Sequence, residues 1–385
     1  CRAAGRLSCG PGMTPARVLL VTASPDRGGA ETVVLQLLGG LDRRAVDPSI
    51  VALAEGAFRD EVTRGGWKVV DAGTVGRMRN IARSVRVIAR LAARIREHRI
   101  DVVHSHGTYA HVIGGLAARW AGVPAIHHVH DLYADTRSTD AVLQHFALRV
   151  PAAAIVAVSH SARARLLASG APWNRVKVVH NGVTLEQTAR AFPPVTGRPA
   201  VVWCGRLQRW KGAHVFLDAA RVVRESHPHA RFWIVGGTLF DKEPEYASEL
   251  KERAERLGLG DAVTFTGHVA DARPYLASAD VVVHCSIDPE PFGLVIAEAL
   301  AEGKPIVAFD EGGPAEMIES GRSGRLVAPG NVDALAAATS DLLARPELRE
   351  RIAEGALARA RHFGLDAMLR RMHFIYDEVL AGRKP

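Results

Sequence analysis

Short apolar runs alternate with helix-length amphipathic segments along almost the whole chain. "RVLLVTA" (17–23), "SIVALA" (49–54), "DVVHSH" (101–106), "AIHHVH" (125–130) and "AAIVAVS" (153–159) have the length and β-branched content of buried strands. Between them, segments 30–40, 80–98 and 108–121 repeat apolar residues at helical spacing. This rhythm predicts a parallel sheet with helices on both faces. It then restarts with "AVVWCG" (200–205), "RFWIVGG" (231–237), "AVTFTG" (262–267), "DVVVHCS" (280–286) and "PIVAFD" (305–310). The expected fold class is therefore α/β, with two doubly wound, Rossmann-like domains facing a cleft.

The segment between the two series contains three prolines and no period, so residues 186–199 read as a linker. The domains are expected at 13–185 and 200–362. A last helix in 363–385, with Leu369, Met372, Ile375 and Leu380 as its apolar side, is expected to pack back on the first domain. Residues 1–12, ahead of Met13, read as an upstream extension or disordered tail. At 385 residues, two cores are affordable. No apolar run approaches the roughly 18 residues of a membrane span, and neither end reads as a signal peptide. Cysteines at 1, 9, 204 and 285 lack metal-ligand spacing, which points to structural thiols in a reducing cytoplasm.

Charge changes the picture. Residues 1–185 hold 24 Lys+Arg against 13 Asp+Glu, and the remainder 25 against 28, so the net +8 comes from a first half at +11 and a second at −3. A basic first half implies an anionic partner.

Two stretches carry candidate chemistry. In "WCGRLQRWKG" (203–212), a strand ends, Gly205 turns the chain, and Arg206 and Lys211 fall at a loop and helix start. An arginine fork and a lysine point charge there suit a diphosphate, although two solvated surface cations would look the same. In "DPEPFGLVIAEALAEGKPIVA" (288–308), an acidic loop with Glu290 leads into a helix opening at Phe292-Gly293. Its first N–H groups lack intrahelical acceptors, and Gly293 lets a phosphate approach them. Glu298 falls off the buried face, where it can reach a ribose diol. Acidic residues near a helix start also favour the dipole, which accounts for Glu290 better than for Glu298.

"GRLQRWKG", "EPFGLVIAEALAEGKPIVA" and "EGGPAEMIESGRSGRLVAPGN" together resemble the retaining glycosyltransferases of family four, the group 1 type with the GT-B fold. The resemblance runs from about Val18 to beyond Leu335. It implies that Arg206 and Lys211 bind the pyrophosphate of a nucleotide sugar, that Glu290 contacts the sugar and that Glu298 contacts the ribose. Gly293 and Leu294 would meet phosphate through backbone N–H groups, and the turn at His268 and Val269 would cradle the base. "SPDRGGAETVVLQLL" (24–38) is similar to the family's glycine-rich loop, so Gly28 and Gly29 would open a helix toward the phosphate. "VHD" (129–131) matches the family's histidine near the anomeric carbon, here His130. The chain departs from the family's pattern at Thr184 and His160, which bears on the acceptor and not on the chemistry.

The histidines at 104, 106, 111, 127, 128 and 130 are dense enough to raise a metal site. Alternating strand histidines share a face for ordinary packing, no thiol or carboxylate cluster accompanies them, and Asp-x-Asp is absent from the chain. A metal-independent reaction without cofactor is expected. Arg79, Arg83, Arg86, Arg90 and Arg94 make one cationic stripe on the 77–99 helix, beside an apolar stripe of Ile81, Val85, Ile88, Leu91 and Ile95. That is either a packed helix with a solvated face or a surface for anionic lipid headgroups. Interleaved aromatics are lacking, which argues against nucleic acid. The expected function is hexosyl transfer from a nucleotide diphosphate sugar to a hydroxyl of a cell-envelope glycan or lipid-linked acceptor, in the cytoplasm or at the inner membrane face. The rivals are an epimerase of the same fold and a non-catalytic nucleotide-sugar-binding protein.

Overall fold

The computed structural model describes residues 14–75, 81–133, 139–188, 199–238 and 243–382. The tail expected at 1–12 and most of the proline-containing linker lie outside the described residues. Twelve strands, β1 (Ala16–Thr22), β2 (Val46–Ala52), β3 (Val102–His106), β4 (Ala125–Val129), β5 (Ala154–Ala157), β6 (Val176–Val178), β7 (Ala200–Cys204), β8 (Arg231–Val235), β9 (Val263–Gly267), β10 (Val281–His284), β11 (Ile306–Phe309) and β12 (Arg325–Val327), form two parallel sheets. The first has the order β2-β1-β3-β4-β5-β6 and the second β12-β11-β10-β7-β8-β9. All ten apolar runs named above became strands. β6 and β12 escaped notice because each is three residues long and includes a cation, so neither shows an apolar run.

The chain divides into two compact units, 1–182 with 366–385, and 183–365. The two chain crossings at the division lie side by side: Val183 N–H donates to the Phe363 carbonyl (2.8 Å), and Leu365 N–H to that of Val183 (2.9 Å). The helix Leu365–Ala381 buries Met368, Leu369, Met372, Ile375, Tyr376 and Val379, and the Tyr376 hydroxyl lies 2.8 Å from His104 Nδ1. Both sheets have fully buried strand centres; Val18–Val21 and Val281–Val282 are fully excluded from water. Each such side chain contributes about 1.5–3 kcal/mol by leaving water.

The helix Ile81–Glu97 buries Val87, Ile88, Leu91, Ala92 and Ile95. Ile81 and Val85, expected on that same stripe, are exposed at 76% and 48%. Its cationic stripe is partly tied down. Arg83 donates to the Thr74 carbonyl and hydroxyl, and Arg94 to the Asp71 carbonyl and to Glu97. Arg86 and Arg90 are exposed, and Arg79 lies outside the described residues.

β3 and β4 carry buried histidines on both sheet faces. His104, His106 and His128 stack on one face with His130 at its edge, while His111 and His127 stack on the other. Burial, and then repulsion from neighbouring rings, pushes His104 down to about 3; burial and His111 do the same for His130, to about 3. Burial holds His111 at about 4 and carries His106, His127 and His128 well below the ordinary value. The unfolded chain takes up these protons near pH 6.5, the folded chain only at far lower pH. Stability is therefore complete above pH 6.5 and falls as pH drops toward the folded values. Each histidine then costs about 1.4 kcal/mol at pH 5.5. Melting in chelating buffer from pH 7.5 to 5.5 is expected to show a steep fall in Tm, and replacing His127 by Gln should flatten it.

Candidate active site

In the second sheet the chain runs β7, β8, β9 in one direction and then returns on the other side of β7 with β10, β11 and β12. The reversal lies between β7 and β10, which pair in parallel. Loops leaving two such strands diverge at their carboxyl ends and open a crevice. The loop after β7 carries Arg206 and Lys211; the loop after β10 carries Glu290. The expected residues of these two loops meet there.

Lys211 Nζ donates to Glu290 Oε2 at 2.5 Å, with the two side chains only 15% and 8% exposed. The same oxygen lies 3.3 Å from His284 Nε2 and 3.3 Å from the donating Ser286 hydroxyl. The Lys211 ammonium also sits 4.1 Å from the centre of the Trp210 ring. Burial alone would raise the Glu290 carboxyl, but Lys211 and then His284 outweigh it and hold it well below the usual carboxylate range. Burial draws Lys211 below its ordinary value against the pull of Glu290, and Arg206 adds repulsion. Glu290 is thus an ionised acceptor at neutral pH and cannot serve as a proton donor. Burial raises the Cys204 thiol, which feels the charges of Glu298 and Lys211 at this strand end.

The backbone locks this arrangement. Ile287 N–H donates to the Trp210 carbonyl (2.7 Å), and Gly313 N–H to that of Glu290 (2.8 Å). Lys211 ends a 3₁₀ turn, Arg209–Lys211, and Gly212 follows with φ +77° to start the helix Ala213–Ser226. A Cβ there would stand 1.9 Å from the Cys285 carbonyl oxygen, so only glycine fits. Gly293, with φ +94°, caps the helix Leu294–Ala301. Phe292 is buried, Leu294 and Glu298 are half-buried, and the leading N–H groups have no acceptor within the helix. Ile296, Ala297, Ala299 and Leu300 form the buried face of this helix, and Val295 is half-buried.

The loops after β8 and β9 lie alongside. Gly205 N–H donates to the Val235 carbonyl and Gly236 N–H to that of Gly267, which brings exposed His268 and half-buried Val269 to the same sheet edge. His284, Ser286 and Trp210 escaped the sequence reading. The histidine closing the apolar strand "VVVH" was the available signal.

The remaining expected residues sit at the carboxyl edge of the first sheet, which reverses between β1 and β3. Gly28 precedes the helix Gly29–Gly40, but its N–H already donates to buried Glu31 Oε2 at 3.0 Å. An internal carboxylate therefore occupies part of that helix start. His130 follows β4, its Nε2 3.0 Å from His106 Nδ1. A cavity of about 640 Å³ opens at the opposite, amino-terminal edge of this sheet, beside Arg119, Arg175, Lys177 and Glu378. Its lining includes none of the expected site residues.

Residues 186–359 match the family described as Glycosyl transferases group 1, and residues 27–187 match Glycosyltransferase Family 4. The chain is 32% identical to the D-inositol 3-phosphate glycosyltransferase of Streptomyces scabiei, over 69% of this chain and 65% of that protein, just under two thirds of its length. It is also 32% identical to D-inositol 3-phosphate glycosyltransferase 2 of Catenulispora acidiphila, over 69% of this chain and 68% of that one. Among solved structures it is similar to Anabaena Alr3699/HepE in complex with UDP and glucose, with a TM-score of 0.83, 27% identity, and coverage of 94% of this chain and 99% of that one. By sequence and by fold, the chain belongs to the family 4 glycosyltransferases, enzymes with two Rossmann-like domains of the GT-B type.

Proposed function

We propose that this glycosyltransferase moves a hexose from a UDP-sugar to an acceptor hydroxyl with retention at the anomeric carbon. The observation that carries the donor reading is the buried Lys211–Glu290 pair beside the start of the helix Leu294–Ala301. The solved complex of HepE with UDP and glucose supports uracil as the base. Retention is carried over from the family resemblance.

In this reading Arg206 and Lys211 take the charge that develops on the departing diphosphate, helped by the N–H groups of Gly293 and Leu294. No metal is needed where two cations and a helix start supply the field. Glu290, kept ionised, accepts hydrogen bonds from sugar hydroxyls. Glu298 holds the ribose, His268 and Val269 border the base, and His130 orients the sugar or acceptor.

The names of the curated relatives favour a phosphorylated inositol as acceptor. A lipid-linked acceptor is the second reading. It rests on exposed Ile81 and Val85 beside Arg83, Arg86, Arg90 and Arg94, a pairing suited to a peripheral membrane surface. No helix among the described residues is long and apolar enough to cross a membrane.

Lys211→Met should lower kcat by ~10²-fold and destabilise the fold by about 3–5 kcal/mol, since it strands a buried carboxylate. The double variant Lys211→Met/Glu290→Gln should regain most of that stability and none of the activity. Full activity in either would refute the assignment. Glu298→Ala should weaken UDP binding in calorimetry while leaving the melting temperature of the free protein nearly unchanged. Transfer from UDP-[14C]glucose, with inositol 3-phosphate or membrane lipid as acceptor, separates the two acceptor readings. Label in the aqueous product supports the first, and label extracted into butanol supports the second. UDP-sugar hydrolysis or epimerisation without transfer contradicts both. In the second case binding to anionic vesicles should be salt-sensitive and fall when Arg83, Arg86 and Arg90 become Gln.

A further inference from the structure

The histidine cluster of the first unit is more than packing. We propose that His104, His106 and His128 bind one divalent transition-metal ion of the zinc class inside the first unit. β3 and β4 pair in parallel with His106 directly opposite His128, and His104 lies two residues before His106, so all three point to one sheet face. One ring nitrogen from each comes within 4.8 Å of the others. Bonds of about 2.0–2.1 Å set the nitrogens of a tetrahedral ion about 3.4 Å apart, so a pair at the 4.8 Å limit closes by about 1.4 Å as the rings turn on binding.

Among the described residues, His128 is the histidine with both ring nitrogens buried and unpartnered. His104 Nε2, His106 Nε2 and both nitrogens of His128 are buried without a hydrogen-bond partner, whereas buried polar atoms normally have one. The opposite nitrogens of His104 and His106 are anchored, His104 Nδ1 to the Tyr376 hydroxyl at 2.8 Å and His106 Nδ1 to His130 Nε2 at 3.0 Å. A ring held from outside with its inner nitrogen vacant is how supporting residues orient histidine ligands. Exposure of the three is 0%, 2% and 0%. Three imidazoles suit zinc, cobalt, nickel or copper and do not suit magnesium or calcium.

The ion would also set the state of His130. Metallated at Nε2, His106 must carry its proton on Nδ1 and donate it to His130 Nε2. His130 is then left with its own proton on Nδ1. The ion thus acts as a positioning group for His130, whichever acceptor the enzyme uses.

The test uses the full chain carrying Cys1→Ser and Cys9→Ser, so that terminal thiols do not compete, stripped with chelator and titrated with Co(II) and Zn(II). The expected result is one ion per chain, a four- or five-coordinate cobalt absorption spectrum, and a raised melting temperature. His128→Gln should abolish the spectrum. Tyr376→Phe, which keeps all three ligands, should weaken binding by about tenfold; it serves as the readout if His128→Gln fails to fold. A folded wild-type chain that takes up neither ion overturns the proposal. So does uptake unchanged in both variants. None of these readouts depends on transferase activity, so failure here leaves the donor site untouched, and failure of the donor reading leaves this site untouched.

Discussion

The buried contact between Lys211 and Glu290 is the interaction on which the proposed donor site depends. The two residues are 79 positions apart and meet only because β10 returns to pair with β7. A charge removed from water this far needs its counter-charge at hydrogen-bonding distance. The surrounding backbone satisfies that requirement through the Ile287–Trp210 and Gly313–Glu290 hydrogen bonds and through a glycine at 212 that admits no side chain. The same contact divides the chemistry. Glu290 stays ionised and accepts hydrogen bonds, while Lys211 holds its ammonium between Glu290 and the Trp210 ring.

The first unit repeats the strand reversal with different chemistry. Where the second unit gathers charge at its switch point, the first caps its leading helix with buried Glu31 and fills two neighbouring strands with uncharged histidines. Burial makes those rings neutral, and neutrality allows so many to pack together. The cost appears only when pH falls. The helix Leu365–Ala381 joins this unit through Tyr376, whose hydroxyl reaches the cluster.

The arginine helix shows how a surface pattern divides once it is folded. Ile88, Leu91 and Ile95 enter the core, while Ile81 and Val85, on the same stripe in sequence, remain in solvent. Arg83 and Arg94 turn back onto carbonyls of the 71–74 loop. The exposed remainder, with Arg86 and Arg90, is smaller than the sequence stripe and more apolar.

The two sheets were legible in sequence, and so were Lys211 and Glu290, the residues that meet between the loops after β7 and β10. Both follow from local physics: β-branched runs of strand length, helix-spaced apolar residues, and glycine where a helix starts against a strand end. What only the tertiary structure decided were long-range pairings. β6 and β12 become strands through their neighbours, since their three residues carry too little apolar signal to stand out. His284 joins Glu290 because a strand end faces a loop. Gly28 loses its N–H to Glu31, a choice that the local motif leaves open. The histidine spacing was plain in sequence, but the register that sets His106 against His128, and the Tyr376 hydroxyl that meets His104, are properties of the parallel sheet and of a residue 272 positions away. Periodicity records which face a side chain takes; what meets it there is decided by strand order and burial.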